Sequence, residues 1–362
     1  MNKAMLATIV GLGLALAAQA ADVEVYLTGA TSFRGEEYDT LTQNGLAVVA
    51  SSSTTGAGGY RGANTNTYSG TWTGSGSLSN KTVIVHASYS GSGAGVGDVA
   101  NQNSIRFLST TGSGFLHAPD IGFSDVYQIS TPFSTATGSP DISAYDTVVG
   151  IIPFVFAGNA AATNKFNNVT GQNFRDLAPS GRIRARFLNG VTNDNTVVYL
   201  TGRNNDSGTR VTTFAETAFG ISTPCQQYNS VSGTPTAYGA NAGASSGSGV
   251  ASALNDAAET APFIGYLGIN DANTLTGTTG WFLSYNGVPY TANNTVSGKY
   301  TFWCYEHCFD ANTGNVNVTA FKAPFIAALG VVINNEFTGT TPPAIPLAAM
   351  LVTRGGDGAL VQ

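Results

Sequence analysis

The chain has 362 residues, which is enough for one large domain or two ordinary ones with a sizeable core. Only 10% of the residues are charged and 45 are glycine, so Ser, Thr, Asn and Gly must supply most of the polar surface, as is common in exported bacterial proteins. The net charge of −6 and the pI near 5.0 exclude a basic face for nucleic acid, so an anionic ligand would need local binding groups.

The N-terminus has the pattern of a secretory signal peptide over residues 1–20. Lys3 precedes an apolar run from Ala4 to Ala18, and the small residues Ala18 and Ala20 fit a cleavage site. The run is short and lacks a polar stop, which disfavours a membrane anchor, and there is no cysteine near the cleavage site to carry a lipid anchor. We predict that no second stretch is long and apolar enough to span a bilayer. The mature protein is expected to be soluble, in the periplasm or outside the cell.

The mature chain opens with a strand, a hydroxyl-rich turn and a helix. Val23–Leu27 alternates and is rich in β-branched residues, which predicts a strand. The turn Thr28–Arg34 carries three hydroxyl groups, and the spacing of Glu36, Tyr38 and Leu41 predicts a helix. Most turns of this kind only cap the helix that follows, so the turn by itself does not define a ligand site.

The segment Ser51–Asn80 is dominated by Ser, Thr, Gly and Asn, and we predict hairpins or a long surface insertion rather than a linker. Its aromatic residues give it something to bury; they are Tyr60, Tyr68 and Trp72. The strand Thr82–His86 and the Gly-rich turn Ser90–Val96 then form a second strand–turn–helix unit. This turn has no lysine and no Gly-x-Gly-x-x-Gly spacing with an acidic partner, which disfavours a nucleotide and leaves a small anion open.

Two buried strands are predicted next. Residues 120–126 read as a short apolar strand that ends on the carboxylate of Asp125. Such an aspartate usually caps or turns the chain, and it would repel an anion unless the ligand carries a proton to donate. Residues 147–156 are nearly all apolar, with Pro153 inside, which suits a buried strand that crosses between two lobes.

The stretch from Val197 to Arg210 predicts a third strand–turn–helix unit. The apolar run Val197–Leu200 breaks at Gly202, and Arg203 then precedes the hydroxyl-bearing residues Ser207 and Thr209. A helical pattern follows through Phe214, Ala218 and Phe219. A helix start directs free backbone N–H groups and the positive end of its dipole into the turn, so hydroxyls and a guanidinium there make a candidate oxyanion site.

The remaining pattern continues the alternation of strands and helices. It predicts a helix after Ser246, a strand over Ala261–Gly268, a strand over Lys299–Phe309 and a helix over Phe321–Ile333. This order predicts an α/β fold with mixed, mainly parallel sheets and helices on both faces. Such sheets bind ligands beyond the carboxyl ends of their strands, where all three hydroxyl-rich turns are expected to converge.

Three cysteines remain: Cys225, Cys304 and Cys308. In an oxidising compartment a Cys304–Cys308 disulfide, or one that includes Cys225, is expected. With His307 the close pair also has the composition of a metal site, but it lacks the distant second half of a closed zinc site. We therefore expect no metal and no cofactor.

The ordered set of motifs resembles the phosphate-binding protein of bacterial ABC-type phosphate importers, a type II periplasmic solute-binding protein. The matching segments occur in the family's order and span most of the mature chain; they are 27–33, 90–96, 120–125, 150–159, 169–177, 203–209 and 264–266. The resemblance implies two lobes with a ligand cleft between them. Lobe 1 would comprise 21–150 and 286–362, with an insertion at about 51–80, and lobe 2 would comprise 151–285.

The resemblance also assigns roles to individual residues. Ser32, the N–H of Phe33 and the hydroxyl of Ser92 would bind phosphate oxygens, and Asp125 would accept the ligand's proton. Arg203 would make the charged contact, and Ser207, Gly208 and Thr209 would supply hydroxyl and backbone donors at the helix start. The chain departs from the family pattern in the first motif and in the Ser92 turn, adds a cation at Arg210, and has apparent insertions at 51–80 and 112–119.

Phosphate at neutral pH still carries a proton, whereas sulfate does not, so an ionised Asp125 in a dry cleft would accept one and repel the other. The expected partners are inorganic phosphate and an ABC permease, and a homo-oligomer is also open. An enzyme is disfavoured because no Gly-x-Ser-x-Gly, His-Glu-x-x-His or paired-carboxylate motif occurs. The alternative is a secreted structural or surface-assembly protein built on the same fold, since fold does not fix function.

Overall fold

The computed structural model describes residues 22–45, 49–53, 56–57, 61–73, 75–276 and 280–362, so the predicted signal peptide and Tyr60 lie outside the described residues. The strands are β1 Val23–Gly29, β2 Val49–Ser53, β3 Gly56–Ala57, β4 Thr65–Thr71, β5 Thr82–Ser88, β6 Ile105–Leu108, β7 Gly114–His117, β8 Ile121–Ser124, β9 Asp146–Asn159, β10 Asn168–Val169, β11 Arg182–Arg184, β12 Val197–Thr201, β13 Tyr228–Val231, β14 Thr234–Ala237, β15 Phe263–Gly268, β16 Gly280–Tyr285 and β17 Trp303–Asp310. The α-helices are α1 Arg34–Asp39, α2 Ser92–Asn101, α3 Gly171–Leu177, α4 Arg186–Asn189, α5 Gly208–Glu216, α6 Gly247–Leu254, α7 Ile269–Ala272, α8 Ala292–Val296 and α9 Val316–Glu336. A π-helical turn, Thr40–Gly45, extends α1, and short 3₁₀ turns occur at Gln128–Ser130, Thr135–Thr137, Ser143–Tyr145, Ala160–Ala162 and Leu347–Ala349.

Thirteen strands in the described part of the chain form one mixed sheet, in the order β11-β12-β15-β9-β17-β8-β1-β5-β4-β2-β3, with β16 also pairing with β9 and β10 with β16. Parallel pairing occurs where the predicted site turns leave the sheet, because β1 has parallel neighbours in β5 and β8, and β12 pairs in parallel with β15. The carboxyl ends of parallel neighbours share one edge, so the turns after β1, β5 and β8 begin close together. The predicted α/β class is confirmed.

The long strand β9 divides the sheet into two halves. Its residues up to Pro153 pair with β17, and its residues from Phe154 onward pair with β15 and β16. The change of partner falls at Pro153, which has no N–H to donate to a ladder. We call the strands from β17 to β3 the first half and the strands β15, β12, β11, β16 and β10 the second half. The predicted strand over 147–156 is thus confirmed and is longer, Asp146–Asn159, while its role as a crossing between two lobes stays a prediction. Strand β17 begins at Trp303 rather than at Lys299.

The Ser- and Gly-rich segment 51–80 contributes to the sheet. Its strand β4 pairs antiparallel with β5, and β2 pairs in turn with β4, so the segment extends the first half at its edge. Tyr68 and Trp72 are almost fully buried, and the Trp72 ring lies 6.2 Å from that of Phe321 in α9. The hairpin prediction is confirmed, but the segment is not a mere surface insertion, because its aromatic residues complete the core.

Helix α9 covers the first half of the sheet. Phe321, Phe325, Leu329 and Ile333, each four residues apart, are buried, as helical periodicity requires. The helix is longer than the predicted 321–333. By length and composition alone it could cross a membrane, so the prediction that no second stretch passes that test is wrong. In this fold the helix packs on the sheet, with the Phe325 ring 6.1 Å from that of Phe123 in β8.

Candidate functional site

The turn after β1 brings Ser32 into the interior. Gly29 has a φ of 117°, and a Cβ at this position would lie 2.6 Å from the backbone nitrogen of Phe123, so the close passage over β8 requires glycine. Ser32 is buried, and its Oγ donates a hydrogen bond to Oδ1 of Asp125. Phe33, the residue before α1, is fully buried and packs on Phe123 with 5.7 Å between ring centroids.

The Gly-rich turn after β5 starts α2 at Ser92. The Ser92 Oγ accepts a hydrogen bond from the backbone N–H of Asp125 at 3.2 Å. The N–H of Gly93 donates to the backbone oxygen of Asp206 at 2.9 Å. This bond joins the start of α2, in the first half, to the loop that precedes α5 in the second half.

Asp125 is the central residue of this cluster. It directly follows β8 and is 1% exposed. Its Oδ1 accepts from Ser32, and its Oδ2 accepts from Oγ1 of Thr209 at 3.3 Å. The two donors belong to opposite halves of the sheet. Burial raises the pKa of Asp125, whereas the hydrogen bond from Ser32 and the positive charge of Arg203 favour its ionised form.

Arg203 supplies a positive charge that is 1% exposed. Its Nη1 donates to Oγ1 of Thr31 at 3.0 Å, and its Nε and Nη2 donate to the carbonyl oxygens of Ala244 at 3.2 Å and Ser245 at 3.1 Å. Burial lowers the pKa of this guanidinium, and the charge of Asp271 is the largest opposing contribution. Within the described ranges Arg203 forms no ion pair, so its charge is balanced only at longer distance.

The start of α5 approaches Ser92 and Asp125 closely. Ser207 caps the helix, since its Oγ accepts from the N–H of Arg210 at 3.4 Å. Gly208 is the first helical residue, and a Cβ there would lie 2.7 Å from Cβ of Ser92 and 2.8 Å from Cβ of Asp125. No real side chain tolerates such contacts, so glycine is needed where the two halves meet.

The structure therefore brings most of the predicted site residues together. Direct contacts or close approaches join Ser32, Ser92, Asp125, Gly208 and Thr209. Arg203 reaches the same place through Thr31, the neighbour of Ser32, while Ser207 serves as a helix cap and Phe33 packs in the core. Whether these residues bind a ligand stays a prediction.

Arg210, which the sequence marked as an extra cation beside the site, has a local structural role. Its Nη1 donates to the carbonyl oxygens of Arg203 at 3.1 Å and Asn241 at 3.2 Å. Its guanidinium carbon lies 4.7 Å from the ring centroid of Phe214. These contacts hold the loop that carries Arg203.

Sequence reasoning missed several members of the cluster. Arg34, two residues after Ser32, pairs with Asp271 at 3.2 Å. The hydroxyl of Tyr266 accepts from the backbone N–H of Arg203 at 3.1 Å. Glu306, fully buried in β17, lies close enough to Asp125 for the two charges to affect each other. An acidic residue inside the predicted strand Lys299–Phe309 was the one available signal for Glu306.

Two guanidinium groups and two carboxylates of the buried cluster act on one another electrostatically; they are Arg34, Arg203, Asp125 and Asp271. Arg34 pairs with Asp271, whereas Arg203 has no ion pair among the described residues.

The disulfide prediction is wrong, because Cys225, Cys304 and Cys308 are all free and buried. Cys304 and Cys308 lie four residues apart on one strand, about 13 Å at the usual rise, which is too far for a disulfide. Burial raises the pKa of the Cys225 thiol to about 12. In the described part of the chain no group of three or more His, Cys, Asp or Glu residues is arranged to hold a metal ion.

The overall fold matches a solved structure of the class that the sequence resembles. No protein-family model matches the sequence, and no curated protein matches it. Among solved structures, one described as a phosphate ABC transporter substrate-binding protein with bound phosphate, from Clostridium perfringens, aligns with a TM-score of 0.53 at 12% identity, over 90% of this chain and 99% of that one. An ABC-type phosphate transport receptor from Vibrio cholerae aligns with a TM-score of 0.48 at 12% identity, over 88% and 100%. At 12% identity the likeness to the Clostridium perfringens structure establishes the fold alone, and the ligand must be argued from the site.

Proposed function

We propose that this protein is an extracytoplasmic solute-binding protein that captures inorganic phosphate and delivers it to an ABC-type permease. The role is binding rather than catalysis, and it needs no cofactor. The ligand would be held by Ser32, the N–H of Phe33, Ser92, Asp125, Arg203, Ser207, Gly208 and Thr209.

One observation carries the proposal: donors from both halves of the sheet converge on the buried carboxylate of Asp125, next to a guanidinium that has no ion pair among the described residues. Ser32 and Thr209 donate to opposite oxygens of Asp125. Two helix starts, at Ser92 and Gly208, face the same point, and helix N-termini favour anions. An anion that entered here would meet hydroxyl donors, helix N–H groups and the charge of Arg203.

Asp125 makes phosphate a better candidate than sulfate. A hydrogen phosphate dianion can donate its proton to an ionised carboxylate, whereas sulfate has none and meets repulsion. A charge-assisted hydrogen bond is worth about 1.5–3 kcal/mol, and phosphate gains one with Asp125. Sulfate gains none and is repelled by the carboxylate. Together the two effects account for a difference of several kcal/mol in binding free energy.

Entry of the ligand requires the two halves to separate. Ser32 and Thr209 donate to Asp125 directly, so an anion would have to take over these two hydrogen bonds. The predicted lobes, 21–150 with 286–362 and 151–285, would open by a hinge at β9. Cleavage of a signal peptide at 1–20 would place the mature protein in the periplasm or outside the cell, where the permease partner is reached.

Isothermal titration calorimetry of the mature protein with phosphate, arsenate and sulfate tests this function. We expect binding of phosphate and of arsenate, which is also protonated, and no measurable binding of sulfate. Arg203→Ala should abolish phosphate binding, while Arg182→Ala, an exposed residue on the edge strand β11, should leave it unchanged. If the wild type binds none of the three anions, the proposal is wrong.

Size-exclusion chromatography with and without phosphate separates transport from a structural role. A monomer in chromatography fits transport. Its melting temperature, measured by thermal unfolding, should then rise with phosphate, because a ligand that binds the folded state stabilises it. A polymer that is indifferent to phosphate would favour a secreted assembly protein instead.

A further inference from the structure

Glu306 lies opposite Asp125 across two neighbouring strands. Strands β8 and β17 are antiparallel, with Ser124 paired to His307, so the next residue on each strand places Asp125 across from Glu306. Directly opposed residues share one face of a sheet and have Cβ atoms about 4.5–5.5 Å apart. Glu306 is fully buried, and neither of its carboxyl oxygens has a donor group as hydrogen-bond partner.

Two ionised carboxylates cannot stay this close in a dry interior, so one must hold a proton. Burial raises the pKa of Glu306 well above its ordinary value, and the negative charge of Asp125 raises it further. Burial also raises the pKa of Asp125, but the hydroxyl of Ser32 and the charge of Arg203 stabilise its ionised form. Glu306, which has no such partner, therefore keeps the proton.

We propose that Glu306 is a positioning residue of the anion site: its protonated carboxyl donates a hydrogen bond to Asp125 and keeps Asp125 ionised as the acceptor of the ligand's proton. This inference rests on the proposed function. It gives the discrimination between phosphate and sulfate a second determinant, located behind Asp125 and out of contact with the ligand.

The groups around Glu306 support this assignment of the proton. Glu36 and Glu37 of α1 are the other acidic groups that act on it, and both have raised pKa values themselves because they are buried; that of Glu36 is about 8. On its own strand Glu306 is flanked by Tyr305 and His307, and Cys304 and Cys308 lie two residues away on either side. Burial raises the pKa of both thiols. On the other side, β9 presents Gly150, which carries no charge. Apart from Asp125, the carboxyl groups that act on Glu306 are thus shifted toward their protonated forms.

Loss of the donor changes the selectivity. Without the hydrogen bond from Glu306, Asp125 becomes easier to protonate, and a protonated Asp125 donates to a fully ionised anion such as sulfate instead of repelling it. Phosphate then loses its acceptor while sulfate gains a donor. A glutamine at this position still offers an N–H donor to Asp125, whereas methionine fills similar space without one.

The test compares Glu306→Gln with Glu306→Met by calorimetric titration with phosphate and sulfate at pH 7. Glu306→Gln should keep the preference for phosphate, and Glu306→Met should reduce the ratio of the two dissociation constants by about tenfold or more, the value of one lost charge-assisted hydrogen bond. Glu37→Gln is the matched control. Glu37 is an equally buried acid, but its hydrogen bond is with Tyr89 and not with Asp125. It should keep the wild-type ratio.

Urea unfolding without ligand provides an independent measurement. The folded protein holds the Glu306 proton, while the unfolded chain releases it above the ordinary pKa of 4.5. Folding therefore binds a proton, and the unfolding constant of the wild type should rise about tenfold per pH unit relative to that of Glu306→Gln as the pH increases from about 5.

The outcomes separate the inference from the function. If the wild type prefers phosphate and Glu306→Met shows the same preference, the positioning role is wrong although the function stands. If the unfolding constants of wild type and Glu306→Gln stay parallel from pH 5 to 8, Glu306 is not protonated and the inference fails. If neither the wild type nor any variant binds phosphate, the proposed function fails, and this inference fails with it.

Discussion

Gly208 is the point at which the second half of the protein touches the first, and its replacement by alanine tests whether the two halves close on each other. The added Cβ would lie 2.7 Å from Cβ of Ser92 and 2.8 Å from Cβ of Asp125. Real Cβ atoms do not approach so closely, so α5 must shift away from α2. Overpacking of this kind costs about 1–3 kcal/mol, which corresponds to roughly 5- to 150-fold weaker binding if the cost falls on the closed, ligand-bound form.

Titration calorimetry of Gly208→Ala with phosphate measures this loss, and urea unfolding without ligand measures how much of the cost is already present. Gly330→Ala is the control, because Gly330 lies in α9 with no atom within 4 Å of its added Cβ. Alanine should stabilise that helix by about 0.5–1 kcal/mol and leave the phosphate affinity unchanged. If Gly208→Ala binds phosphate within twofold of the wild type, the close approach of α5 to Ser92 is not part of the binding form.

Three further results are expected. Thr209→Val should weaken phosphate binding about tenfold, because the hydroxyl donor is lost. Thr212→Val is the control and should bind phosphate as the wild type does, because the buried Oγ1 of Thr212 has no hydrogen-bond partner. If Thr209→Val and Thr212→Val bind phosphate equally well, the role of Thr209 is contradicted. Arg354→Met should lower the free energy of unfolding by about 3–5 kcal/mol in urea unfolding, because it leaves buried Glu216 without its ion pair at 3.2 Å. Adding Glu216→Gln should restore much of that free energy. If Arg354→Met loses no stability, this ion pair does not secure the C-terminal tail. Mass spectrometry after alkylation of the unreduced, unfolded protein should find all three cysteines modified, and an unmodified pair would reveal a disulfide.

The parts of the site that could be predicted are those set by local sequence. Ser32, Ser92 and Thr209 each lie at the end of a strand pattern and the start of a helix pattern, and the sheet places those turns together. Asp125 was recognisable because a carboxylate directly follows an apolar strand. Strand order was needed only to bring these turns face to face.

The parts that could not be predicted depend on pairing between distant segments. Glu306 faces Asp125 because of the register between β8 and β17, and no local pattern specifies a register. The same holds for Arg210, which the sequence marked as an extra cation beside the site but which donates to the backbone carbonyl of Arg203. Cys304 and Cys308 are close in sequence, but both lie on the extended strand β17, which holds them too far apart for a disulfide. For the segment 51–80, composition indicated hairpins or a surface insertion with aromatic residues to bury, but it did not show that Trp72 packs against α9.

The central claim is that the carboxylate of Asp125 reads the proton of a bound anion, and the most direct test is the affinity of Asp125→Asn for phosphate and sulfate. Asparagine keeps the shape but removes the negative charge and offers an N–H donor. The account predicts that the wild type binds phosphate and rejects sulfate, and that Asp125→Asn binds phosphate more weakly and gains measurable affinity for sulfate. If Asp125→Asn still rejects sulfate while it binds phosphate as the wild type does, Asp125 does not set the selectivity and the account is contradicted.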